Sequence, residues 1–99
     1  MPTYIMLTKL SPEALTKPQA VEELGIKVTQ KIHEDCPQVS WVGSYSLLGP
    51  YDYLDIFEAP DEGIASQVAL IIRSFGHATT ETWTATPWER YVELARQVA

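Results

Sequence analysis

Residues 39–59 read VSWVGSYSLLGPYDYLDIFEA. Two runs of aromatic and β-branched residues, Val39 to Leu48 and Tyr51 to Ala59, meet at Gly49-Pro50. That pattern predicts a β-hairpin, with Gly49 supplying whatever unusual φ the turn requires. Pro60 ends the second run. Asp61 then stands where it can cap a helix whose apolar positions Ile64, Val68, Ile71, Ile72 and Phe75 share one face, with Gly76 as its stop.

Thr3 to Lys9 is short and rich in β-formers, and Ser11-Pro12 breaks it, so it reads as the first strand. From Pro18, Val21, Leu24, Val28 and Ile32 recur at helical spacing, with Pro18 in the tolerated first turn and Pro37 closing the helix. His77 to Thr84 holds four threonines and a tryptophan, a composition that favours a strand. Thr86-Pro87-Trp88-Glu89 has the form of a capping box, and Trp88, Tyr91, Val92 and Ala95 continue a terminal helix. The order β-α-β-β-α-β-α predicts an α+β, ferredoxin-like βαββαβ unit with a C-terminal helix, one domain over residues 1–99.

The 99 residues are 45% hydrophobic with a formal charge of −6, and the seven cations are scattered. A phosphate backbone would be repelled, which sets nucleic acid aside as a partner. No secretory signal is visible, and the apolar run Val68 to Ile72 is far below the ~20 residues a membrane span needs. A cytoplasmic location is the expectation, and the single Cys36 fits a reducing compartment.

Both main helices of such a unit pack on one side of the sheet and leave the other bare. One alternation phase collects Ile5, Leu7, Val42, Leu54, Ile56, Ala78, Thr80 and Thr82. The other collects Tyr4, Met6, Trp41, Tyr45, Tyr53, Asp55, Phe57, His77, Glu81 and Trp83. Helices usually take the aliphatic phase, so the aromatic phase is expected on the bare side. An aromatic patch of that size calls for cover by a second copy or by the terminal helix.

Gly49-Pro50-Tyr51-Asp52, Glu58-Ala59-Pro60-Asp61, the last-strand stretch Gly76 to Thr82 and the opening Pro2-Thr3-Tyr4-Ile5 together resemble the GYD-domain family of small bacterial and archaeal proteins, over roughly residues 1–90. The resemblance implies a ferredoxin-like fold of the dimeric α/β-barrel type and implies no reaction. Asp55 departs from it, a carboxylate in mid-strand where the family is expected to carry an apolar residue, and Tyr53 adds a hydroxyl beside it.

Tyr51 and Asp52 are ligand-binding candidates; the structural reading, which we weigh more heavily, has Asp52 accepting backbone N–H bonds near the hairpin. Asp55, His77 and Glu81 could converge in a pocket walled by Trp41, Tyr45 and Trp83, where a desolvated carboxylate would have its pKa raised. The competing reading places Asp55 at a dimer seam and solvates the other two. His33 and Cys36 have i, i+3 spacing with His77 a possible third ligand, but no second cysteine or His-x-x-x-His pattern supports a metal, and no cofactor fingerprint appears. The preferred function is a homodimer binding a small molecule between sheet faces. A cofactor-independent enzyme using Asp/His acid–base chemistry and a purely structural interaction module are the alternatives.

Overall fold

β1 (Thr3–Leu10) runs antiparallel to β3 (Tyr53–Glu58) on one side and to β4 (Ala78–Ala85) on the other, and β2 (Ser40–Ser46) pairs with the far edge of β3. The resulting order, β2-β3-β1-β4, is the α+β, ferredoxin-like arrangement expected from the sequence. The helices α1 (Pro18–Asp35) and α2 (Glu62–Ser74) make the two crossovers, and α3 (Trp88–Gln97) follows β4. This is a computed structural model; it describes residues 1–12, 17–75 and 78–99.

Local chemistry explains most element ends. Asp61 caps α2 as its pattern predicts, its Oδ1 accepting the Ile64 N–H at 2.9 Å. The capping box before α3 does not form. Pro87, with φ −55° and ψ 145°, is itself the N-cap, so the helix begins one residue later than a Thr86 cap requires. Gly49 also departs from expectation: its φ is not in the left-handed region, and a Cβ there would meet nothing within 4 Å. The loop closes instead through the Leu47 N–H, which donates to the Asp52 carbonyl at 2.8 Å.

The two faces of the sheet are the reverse of the sequence reading. Tyr4, Met6 and Phe57 are buried with Ile32, Cys36, Ala65, Val68 and Ile71, so the aromatic phase of β1 and β3 faces the helices. Tyr4 stacks on Phe57 with centroids 5.7 Å apart, and Trp41 stacks on its other flank at 5.3 Å. The aliphatic residues Ile5, Leu54 and Ile56, with Leu7, are therefore on the open side. Two local facts scramble the remaining strands. β4 is paired so that Met6 opposes Thr82 and Ile5 opposes Trp83, which exchanges its two phases relative to β1. A bulge between Trp41 and Gly43 then changes the phase within β2. Trp41 opposes Phe57 on the helix side, while Tyr45 opposes Leu54 on the open side.

No α3 residue is buried, and α3 packs on no other element to any extent among the described residues. The radius of gyration, 15.1 Å, exceeds the ~13 Å typical of a compact chain this long because α3 stands away from the sheet.

Candidate functional site

The C-terminal half of α1 reaches the core through Ile32, whereas Val21 near its N-terminal end is 40% exposed. That divergence opens a cavity of about 330 Å³ between α1 and the helix side of the sheet. Ala20, Val21, Leu24, Gly25 and Val28 form its α1 wall, and Ile72 and Phe75 close the α2 side. Its floor carries the polar groups: Thr8 of β1, Ser44 of β2, and Tyr53 and Asp55 of β3.

Asp55 opposes Met6 on one side and Ser44 on the other, which fixes its side chain beneath the helices and not on the open face. Burial pushes its carboxyl above the ordinary 3.8, with a side-chain hydrogen bond from Ser44 acting the other way. Ser44 is held in turn by Trp41, whose indole Nε1–H donates to its Oγ at 2.8 Å. Tyr53 is also pushed up, first by burial and then by the charges of Asp52 and Asp55. Among the described lining residues, Asp55 is the only carboxylic acid, and no Lys, Arg or His accompanies it. The site can thus accept hydrogen bonds and balance a positive charge at one end of an otherwise apolar chamber.

The residues predicted for a single pocket divide between the two faces. Trp41 and Asp55 line the cavity, and Tyr45 reaches its rim. Glu81 and Trp83 oppose Leu7 and Ile5 on the open side, so they do not converge with Asp55 in this chain. There the Tyr51 hydroxyl donates to the Glu81 carboxylate. Asp52 serves as a clamp: its Oδ2 accepts the Leu10 N–H at 2.7 Å, and its own N–H donates to the Thr8 carbonyl at 2.8 Å. His77 lies outside the described residues. The polar floor residues Ser44 and Thr8 and the α1 wall escaped sequence reasoning, since only the register and the bulge place them beside Asp55.

Cys36 is buried, and its thiol is raised first by that burial and then by the Asp35 charge, which leaves it a poor nucleophile. No cluster of potential metal ligands occurs among the described residues. None of the described helices is long and apolar enough to cross a membrane.

Fold and cavity together define a ferredoxin-like α+β protein with a one-carboxylate chamber under its first helix. The chain matches the GYD domain over residues 4–95 and belongs to the GYD-domain family. It is 35% identical to the "Glutamine synthetase and cystathionine beta-lyase binding protein" of Thermus thermophilus, across 88% of this chain and 90% of that protein. Among solved structures it resembles TTHA0845 from the same organism, at 27% identity and TM-score 0.56 over 88% of this chain and 95% of that one. An FFRP crystal structure shares the fold at TM-score 0.58 and 23% identity, over 87% of this chain and 100% of that one.

Proposed function

We propose that this protein is a homodimeric binding protein that holds a small, mainly apolar molecule in the cavity beneath α1 and docks on an enzyme. The cavity carries the reading. At about 330 Å³ it falls within the ~300–1,000 Å³ of small-molecule sites, and it joins apolar walls to a few convergent polar groups as such sites do.

Pairing is supported by area. Four strands at ~4.8 Å spacing and roughly 20 Å length make an open face of about 400 Å². A stable interface takes about 800 Å² from each partner, so the sheet alone falls short. α3 and its C-cap supply the remainder, since Trp88, Tyr91, Leu94 and the capping Val98 are exposed. Docking on an enzyme is supported by the name of the Thermus relative, a binding protein for two enzymes.

Native mass spectrometry of the purified protein tests the central reading. The expected result is a dimer mass with a small molecule retained. Gly25→Leu is the matched variant, because a side chain there starts in open space on the cavity wall and leucine is a good helix former. It should keep the fold and lose the bound molecule. Equal retention by both proteins would remove the cavity from the proposal.

A further inference from the structure

A cavity with one acidic group discriminates between ligands by charge. Three classes of occupant can be weighed. An anion would approach Asp55 with no Lys, Arg or His among the described lining residues to receive it, in a chain of net charge −6. Like charges in a site of reduced dielectric repel more strongly than they do in water. A neutral apolar molecule fits the walls but strips water from Asp55 without replacing it, and an uncompensated buried carboxylate is costly. An organic cation satisfies both requirements, bringing an apolar body for the walls and a counter-charge for the floor.

Geometry also sets the shape of that cation. Asp55 and Trp41 are on the same side of adjacent strands, Asp55 opposite Ser44 and Trp41 opposite Phe57. One flank of the Trp41 ring is occupied by Phe57 at 5.3 Å, and the indole also lines the cavity. Indole is the aromatic surface that best attracts a cation or stacks with a second ring. The Trp41 Nε1–H is committed to Ser44, so it offers the ligand a surface and not a donor. A dry apolar cavity of about 150 Å³ takes benzene, and this one is roughly twice that size. A body of one or two rings therefore fits.

We infer that the cavity is a site for an aryl-alkyl ammonium, a one- or two-ring apolar body on a short chain ending in a protonated amine, with the ammonium on Asp55 and the rings between Trp41 and α1. The inference rests on the proposed small-molecule site and adds the charge class of its occupant.

Three probes that share the indole ring separate the possibilities: tryptamine, 3-methylindole and indole-3-acetate, each titrated calorimetrically into the protein as purified. Tryptamine should bind at least 10-fold more tightly than 3-methylindole, and indole-3-acetate should not bind. Asp55→Asn should abolish the preference for tryptamine, weakening tryptamine and, with the carboxylate's desolvation cost gone, not weakening 3-methylindole. If that variant folds poorly, wild-type protein gives the same test. Asp55, Tyr45 and Tyr53 are the titratable groups among the described lining residues, and Asp55 is the only carboxylic acid of the three. Tryptamine affinity should then fall as acid neutralises Asp55, while 3-methylindole affinity should not fall. A smaller preference over 3-methylindole, or binding of indole-3-acetate, in wild type would overturn the ammonium assignment and leave the small-molecule reading standing. Failure of all three probes, together with failure of the neutral dye Nile red to respond, would overturn both.

Discussion

Asp55 is stored at a cost that pH can reveal. Its carboxyl is raised by burial, so the folded protein holds the proton more tightly than the unfolded chain does. Below the ordinary value of 3.8 both states are protonated and the residue carries no penalty. As pH rises through that value the unfolded chain ionises first, and the folded state loses stability until its own raised pKa is passed. The penalty is complete once pH exceeds that raised value. Ser44 and Tyr53 are its polar neighbours, while the α1 and α2 walls bring no charge. Asp55→Asn is therefore expected to be more stable than wild type in urea titrations at pH 7, with the advantage shrinking as pH drops below about 4. A variant less stable at pH 7 would show that Ser44 outweighs burial. Asp52 has a structural hydrogen bond, its Oδ2 accepting the Leu10 N–H at 2.7 Å. Asp52→Ala strands that donor and should cost about 1–3 kcal/mol in the same titration, with no change in small-molecule retention.

α1 is built loosely where it roofs the cavity. Gly25 lies in the interior of an 18-residue helix, and a Cβ there would meet nothing within 4 Å. Gly25→Ala should therefore stabilise by about 0.5–1 kcal/mol through the unfolded chain and helix propensity, read as a higher urea midpoint. A loss of stability would mean that the helix needs the glycine for a conformation or contact absent from this structure. Element order was legible in the sequence because proline, the Asp61 cap and hydrophobic period are local signals. The faces were not, since phase passes between strands only through register. Thr82 opposite Met6 and the irregularity after Trp41 are both products of pairing. Asp55 and Tyr53 could be singled out as anomalies within one strand. Their true surroundings, Ser44 on β2 and Val28 on α1, come from elements that only the tertiary fold brings together.

At the scale of the molecule, apolar surface is exposed on the open face and on α3, among other places in the described residues. The open face presents Ile5, Leu54 and Ile56 with Trp83 at 52% exposure, and α3 extends from the end of β4 with Trp88 at 72%. The Trp88 and Tyr91 ring centroids are 5.7 Å apart on α3. An amphipathic helix that packs on no other element to any extent among the described residues gains little stability from propensity alone at ten residues, because isolated helices this short are marginal in water. Burial against a second copy would supply what the chain does not. Two changes should therefore break the pair by separate routes: Ile56→Glu on the open face and Tyr91→Glu on α3, each placing a charge in the proposed seam. Light scattering at micromolar concentration should read a dimer for wild type and a monomer for both variants. Circular dichroism should retain the sheet signal in both, and the Tyr91→Glu monomer should lose helix signal as α3 frays. Lys9 and Thr79, paired with each other at the end of the open side, provide the control, since Thr79→Glu changes charge beyond the apolar cluster and should leave the dimer intact. A wild-type monomer, or dimers that survive both substitutions, would remove the open face and α3 from the assembly and leave the apolar surface to an enzyme partner.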